Sequence, residues 1–285
     1  MFDVILDALA DAAKDALIIF PFLFLVYTFM EMVENARNKE KIEGALSGEY
    51  APLFASLGGV VPECGFSVMC AKLFDGGLIA MGTLIAAFAS TSDEGVIILL
   101  SEGNSAVAAG MVVVIKIVYA AFIGVIINAL FKGARNKHVC AVKDDCVECG
   151  EHHGEFWDKF VLHPFFHAAK TFLYVLAVNV VLNLVLGLIG EEKVMNAVGS
   201  NYEVQPLITS LFGLIPNCAS SIFLARGFIK GVVSFSGLIA GLTANSGVGM
   251  LILLKNRKNI KKSLLILLIM YLTGVVIGYI TMPIG

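Results

Sequence analysis

Two long apolar stretches of this chain are broken at matching places. In Ala51–Leu100 the break reads Val61-Pro62-Glu63-Cys64-Gly65, and in Pro206–Leu254 it reads Ile215-Pro216-Asn217-Cys218-Ala219. Proline and glycine interrupt a helix and leave backbone groups without partners, which hydrocarbon cannot supply. Such breaks are tolerated only where protein or a wet cavity surrounds them. The setting is a bilayer: of 285 residues 58% are hydrophobic and 15% charged, with a mean hydropathy of +0.86, against about half apolar and about a quarter charged in a soluble domain. These values exclude a disordered chain and a disulfide-rich secreted scaffold. A net charge of -3 gives no reason to expect a nucleic-acid partner. The expected fold class is an all-α polytopic membrane protein.

A membrane helix needs about 20 apolar residues to cross about 30 Å of hydrocarbon. Ala16–Val33, Ser105–Leu130, Pro164–Ile189 and Ser263–Met282 meet that requirement without interruption. The pieces flanking each proline break, such as Pro52–Val61 and Phe66–Leu73, reach only about half-way across at 1.5 Å per residue. They are expected to form a re-entrant hairpin in each region, with a single full-length broken helix as the alternative. The N-terminal residues 1–15 place Phe2, Ile5, Leu6, Leu9 and Ala13 on one helical face, which suits a short interfacial helix.

The two broken regions align without a gap at an offset of 154, with about 18 identities over 48 positions from Leu53 and Leu207 onward. Pro62, Cys64 and Ser67 fall on Pro216, Cys218 and Ser221, and Gly59, Gly77 and Gly95 on Gly213, Gly231 and Gly249. Internal repetition of this kind points to a duplicated unit. About 13 of the 20 Lys and Arg lie in Arg37–Lys41, Lys132–Lys159 and Lys255–Lys262, whereas the equivalent loops Ser101–Asn104 and Gly190–Gln205 are nearly devoid of them. By the positive-inside rule, corresponding loops then lie on opposite sides, which makes the repeat an inverted one. The resulting organisation is an interfacial helix over 1–15, a first membrane repeat over 16–131, a cytoplasmic linker over 132–160 and a second, inverted repeat over 161–285. Six full spans and two hairpins put both termini outside the cytoplasmic membrane.

Inverted repeats with broken helices place their substrate near the midplane, where the breaks meet. The first breaks offer Glu63, Cys64 and Ser67 in one repeat and Asn217, Cys218, Ser220 and Ser221 in the other. The helix that follows each break has an N-terminus whose partial positive charge favours a thiolate or an oxyanion. An isolated buried cysteine usually acts as a small hydrophobe; Cys70 is read that way, and the symmetric Cys64 and Cys218 are not. A second pair of breaks reads Ser90-Thr91-Ser92-Asp93-Glu94-Gly95 and Thr243-Ala244-Asn245-Ser246-Gly247. Acids inside a membrane are costly and mark ion or proton pathways, so Asp93 and Glu94 are candidate coupling groups. Asn245 and Ser246 are candidate site residues. Lys116, half-way along Ser105–Leu130, is expected to pair with Asp93 or Glu94 or to act as a moving charge. Asn128, Asn179 and Asn183 suit interhelical hydrogen bonds.

The central loop carries Cys140, Cys146, Cys149, His152 and His153. The Cys146-x-x-Cys149-x-x-His152-His153 spacing is a chelating one, and cytoplasmic thiols stay reduced. Metal sensing or delivery is the functional expectation for that loop; a polar linker between repeats is the alternative. There is no Walker A sequence, so ATP hydrolysis is not expected. No catalytic residues and no firm cofactor are expected, only a transition-metal ion as a possibility.

These breakpoints, GGVVPECGFS and GLIPNCASS, together with about ten hydrophobic pieces and a Cys/His-rich middle loop, resemble the prokaryotic ten-span heavy-metal exporters. That family is also labelled as manganese transporters or arsenic efflux proteins, and it is related by name to the organoarsenical permeases. The resemblance covers about Ala16 to the end. It implies secondary efflux of a small inorganic or organometalloid substrate through the lipid bilayer, by a non-enzymatic protein that could form a homo-oligomer. Two other functions fit parts of the pattern. A membrane thiol–disulfide electron carrier would cycle a Cys64–Cys218 disulfide, although it has no need of the acids at the second breaks. An organic-anion transporter would hold a carboxylate at the helix N-termini.

Overall fold

The computed structural model describes residues 24, 28, 48, 50–60, 64–91, 94–102, 105–131, 165, 166, 168, 169, 172, 173, 176, 177, 180, 181, 198, 199, 201–216, 218–256 and 260–284, without the side chains of Cys64, Cys218, Ala219 and Ile284. The expected interfacial helix over 1–15 and the Cys/His linker lie outside these residues, as does most of the spans expected at 16–33 and 164–189.

All regular structure among the described residues is helical. The first repeat contributes α1 (Ala51–Gly58), α2 (Cys64–Asp75), α3 (Met81–Ser90), α4 (Glu94–Ser101) and α5 (Ala106–Leu130). The second contributes α6 (Gln205–Gly213), α7 (Cys218–Ile229), α8 (Phe235–Ala244), α9 (Gly249–Lys255) and α10 (Ile260–Thr281), followed by a short 3-10 turn over Met282–Ile284. Both proline breaks and both second breaks interrupt helices where the sequence placed them. The stretches Met81–Ser101, Ala106–Leu130, Phe235–Lys255 and Ile260–Thr281 are each long and apolar enough to cross a membrane. The last of these begins three residues before the expected Ser263, because the polar Lys261 and Lys262 are taken up as its first turn.

The equivalence of the repeats extends to local detail. The α2–α3 turn has Gly77 at φ +74° and the α7–α8 turn has Gly231 at φ +72°. In each, the amide of the following residue donates five residues back (Leu78 N–H to the Leu73 carbonyl, 2.8 Å, and Val232 N–H to the Gly227 carbonyl, 2.9 Å) while the glycine N–H donates three back. That is a Schellman ending, in which only glycine adopts the left-handed conformation without strain.

Within each repeat the first, third and fifth helices pack together: α1 with α3 and α5, and α6 with α8 and α10. Small residues allow the approach. A Cβ on Gly124 of α5 would stand 2.9 Å from Pro52 Cβ and 2.7 Å from Ala86 Cβ, and one on the equivalent Gly278 of α10 would stand 2.7 Å from both Pro206 Cβ and Ala240 Cβ. The expected role of Asn128 is met, since its Oδ1 accepts from Gly82 N–H at 2.8 Å and so supplies a free amide at the start of α3. At the start of α8 Ser234 does this work instead, accepting from Gly237 N–H at 3.1 Å. The opposite faces of the long helices are apolar and exposed. Val107, Met111, Val114, Val118, Phe122 and Val125 form one helical stripe on α5, as expected of a surface turned to lipid.

Between repeats the contacts are reciprocal: α4 packs on α7, and α9 packs on α2. A Cβ on Gly95 would meet the Ser221 carbonyl oxygen at 2.6 Å, and a Cβ on Gly249 would meet the Ser67 carbonyl oxygen at 2.6 Å. Position for position these are the same contact, made once in each direction. The two cores are correspondingly mixed, one joining Val68, Leu84 and Phe88 with Met250 and Leu251, the other joining Val96 and Leu99 with Leu224 and Leu238. Cys70 lies buried in the first core as a free thiol, in the packing role expected of it.

This interlock predicts a large cost for any side chain at Gly249, where Phe88 Cε1 also stands 2.8 Å from the added Cβ. Gly249→Val should destabilise the purified protein by about 1–3 kcal/mol or more, as overpacking does, and lower its Tm by several degrees. Gly110→Ala, where nothing lies within 4 Å, should leave Tm unchanged or raise it slightly, since alanine suits a helix better than glycine. Equal Tm values for the two variants would show that the α9–α2 contact does not hold the repeats together.

Candidate functional site

The interlock brings the first break of one repeat against the second break of the other. Helices α2 and α7 start at Cys64 and Cys218, so both cysteines occupy a first helical turn whose amides lack intrahelical partners. Three residues further on, Ser67 and Ser221 are fully buried and face Gly249 and Gly95. Glu94, the first residue of α4, is therefore next to the residue that packs on Ser221. Of the expected first-break residues, Glu63 and Asn217 lie outside the described residues.

Several of the buried polar groups bond to the backbone beside the breaks. Ser220 Oγ donates to the Ile215 carbonyl at 3.3 Å, directly before Pro216. At the second break of the first repeat, Ser90 Oγ and Thr91 Oγ1 both donate to the Ala87 carbonyl, at 3.0 and 2.7 Å. At the second break of the other repeat, Asn245 Oδ1 accepts from Gly247 N–H at 2.9 Å, an Asx turn that stabilises the chain reversal. Asn245 is thus held by a local bond, in addition to being fully buried.

Lys116 connects the two second breaks. It is 1% exposed, and its Nζ donates to the Thr91 carbonyl at 2.6 Å and the Leu242 carbonyl at 2.8 Å. The sequence had suggested Asp93 or Glu94 as its partners; Asp93 lies outside the described residues, and these two carbonyls were not foreseen. They belong to the C-terminal ends of α3 and α8, in different repeats. The breaks are therefore joined through one lysine side chain.

Among the described residues four buried side-chain oxygens lack a hydrogen-bond partner: Glu94 Oε2, Ser210 Oγ, Thr243 Oγ1 and Ser246 Oγ. Glu94 and Ser246 were expected site residues; Thr243 and Ser210 were not singled out as such. Three of the four, Glu94, Thr243 and Ser246, belong to the second breaks. An unpartnered buried hydroxyl costs about 1–3 kcal/mol, and native proteins retain such groups where water, an ion or a ligand completes them. The contrast between repeats is informative, since the hydroxyls of Ser90 and Thr91 return to their own helix while those of Thr243 and Ser246 do not. Among the described residues no three His, Cys, Asp or Glu side chains converge as a metal-binding group. A cation held here by the described side chains would therefore rely on hydroxyl, amide and carbonyl oxygens together with Glu94. The loop ligands Cys140, Cys146, Cys149, His152 and His153 lie outside the described residues.

If Thr243 and Ser246 serve a ligand rather than the fold, removing their hydroxyls should relieve the unfilled site. Thr243→Val and Ser246→Ala should keep or raise the Tm of the ligand-free protein, by the equivalent of about 1 kcal/mol each. Both should reduce the Tm increase that a bound ligand gives the wild type. A fall in ligand-free Tm with an intact ligand response would make these hydroxyls structural.

Comparison with known families places the chain. Residues 1–190 and 163–285 match the family described as "Putative, 10TM heavy-metal exporter". No curated protein and no solved structure matches it. The two matched segments span the sequence from end to end, and the chain belongs to this ten-span heavy-metal exporter family.

Proposed function

We propose that this member of the exporter family is a secondary transporter, not an enzyme, that moves a divalent transition-metal ion such as manganese out across the cytoplasmic membrane. The observation that carries this reading is the set of buried, unpartnered oxygens on Glu94, Thr243 and Ser246 at breaks that Lys116 joins between the two repeats. Carboxylate, hydroxyl and amide oxygens are the donors that manganese and other hard or borderline cations prefer. Glu63, Ser67, Asn217, Ser220, Ser221 and Asn245 would line the path. Cys64 and Cys218 would add soft donors for a more thiophilic ion, and the linker cysteines and histidines would collect metal from the cytoplasm.

The two repeats are proposed to lie in opposite orientations, with both termini outside, on the strength of the Lys and Arg asymmetry between equivalent loops. Rocking of one repeat against the other would then expose the site to each side in turn. Asp93 and Glu94 would carry the coupling proton or cation, for their counterparts Gly247 and Val248 have no charge. An outside-only thiol reagent should label a cysteine placed at Asn201 and miss ones placed at Asn136 and Lys258. Labelling of all three from one side would end the inverted arrangement.

The matching position of Cys64 and Cys218 at two helix starts favours a second reading, export of a trivalent arsenical bound by thiolates. Uptake into inside-out vesicles separates the two. The divalent reading predicts uptake of Mn²⁺ or Zn²⁺ that falls at least tenfold in Thr243→Val and Ser246→Ala. It also predicts loss of the pH-driven component in Asp93→Asn or Glu94→Gln. Uptake of the arsenical alone, abolished by Cys64→Ser or Cys218→Ser and untouched by Thr243→Val, would replace it with the arsenical reading.

A further inference from the structure

Lys116 is a buried lysine on a 25-residue helix whose other side chains, apart from Tyr119 and Asn128, are apolar. A charge at this depth persists only when the surrounding groups replace its hydration. The groups that do so here include the backbone carbonyls of Thr91 and Leu242. Leu242 lies in the last turn of α8, where carbonyls have no intrahelical donor, and Thr91 ends α3. Both helix ends bear the negative pole of the helix dipole. In broken-helix transporters, half-helix C-termini and unwound carbonyls of this type coordinate a free monovalent cation.

We infer that the Lys116 ammonium is a tethered cation, filling a monovalent-cation site built from the carbonyl ends of one half-helix in each repeat, so that the protein needs no free sodium or potassium there. The equivalent position on α10 is Met270, buried and uncharged, so one ammonium serves both repeats. One helical turn further on, Tyr119 OH donates to the Thr273 carbonyl at 2.9 Å, so the same face of α5 meets the second repeat at two polar points. The inference concerns how the repeats are joined and does not rest on the identity of the substrate.

The test is thermal stability in metal-free detergent solution, which is independent of transport. Lys116→Ala removes the ammonium with the chain that carries it, and n-propylammonium chloride resupplies those atoms; n-propanol supplies nearly the same volume without charge. Lys116→Ala should lose several degrees of Tm. n-Propylammonium should return at least half of that loss, sodium chloride a smaller part, and n-propanol or choline chloride none. The wild type should have the same Tm in sodium, potassium and choline salts. Lys116→Met gives the site the residue that stands at the equivalent position and keeps the unbranched chain as far as Cε without the charge; it should be destabilised and unresponsive to n-propylammonium. If Lys116→Ala cannot be isolated, the Lys116→Met and wild-type measurements decide. Wild-type stability in Lys116→Met, equal rescue of Lys116→Ala by n-propanol, or a sodium requirement in the wild type would each overturn the tethered-cation assignment.

Discussion

A helix that breaks inside hydrocarbon must find partners for its own carbonyl and amide groups within the protein, and most of the architecture follows from that requirement. Four interruptions occur in the described residues, two beside prolines and two at polar runs. Side chains reach the backbone at these places: Ser220 at the Ile215 carbonyl, and Lys116 at the Thr91 and Leu242 carbonyls. An unmet carbonyl at such a depth would cost several kcal/mol. The side chains that prevent this are concentrated where the breaks are, which leaves the outer faces of α5 and α10 free to be apolar.

The second consequence is duplication. The half-length helices α1 and α6 pack within their own repeat, whereas α2, α4, α7 and α9 are covered by the other one. Gly95 lies on the Ser221 backbone and Gly249 on the Ser67 backbone, each at a distance that excludes a Cβ. Hydrophobicity gives little drive for helices to associate in lipid, so close backbone approach and polar contacts must supply it. Symmetry is then broken at a few polar positions. Lys116 stands opposite Met270, Glu94 opposite Val248, and Thr91 opposite Asn245. The frame is repeated, and the charge is not.

Much of this frame was legible in the sequence, because broken apolar runs and a constant offset leave signatures in residue type. Gly77 and Gly231 were visible only as an aligned pair, whereas the starts of α2 and α7, the long helices α5 and α10 and the hydrogen bond of Asn128 followed from pattern. The partners of Lys116 did not, since a carbonyl acceptor belongs to the backbone and any residue type can provide it; the acids nearby were the more visible candidates. Thr243 and Ser210 were missed as site residues for a related reason. A hydroxyl in an apolar helix normally bonds back to its own carbonyls, and only the folded chain shows which hydroxyls do not. The reciprocal contact of Gly95 with Ser221 was equally hidden, although its two glycines had aligned. The opposite orientation of the repeats still rests on loop charge.

The proposed function places cation binding in one region, at the unpartnered oxygens of the second breaks. The direct measurement is the anomalous difference density of Mn²⁺ in crystals of the protein. The proposal predicts a peak within coordination distance of Thr243, Ser246 or Glu94, absent in Thr243→Val combined with Ser246→Ala. A peak confined to the linker over residues 140–153, or no peak while Mn²⁺ is transported, would contradict it.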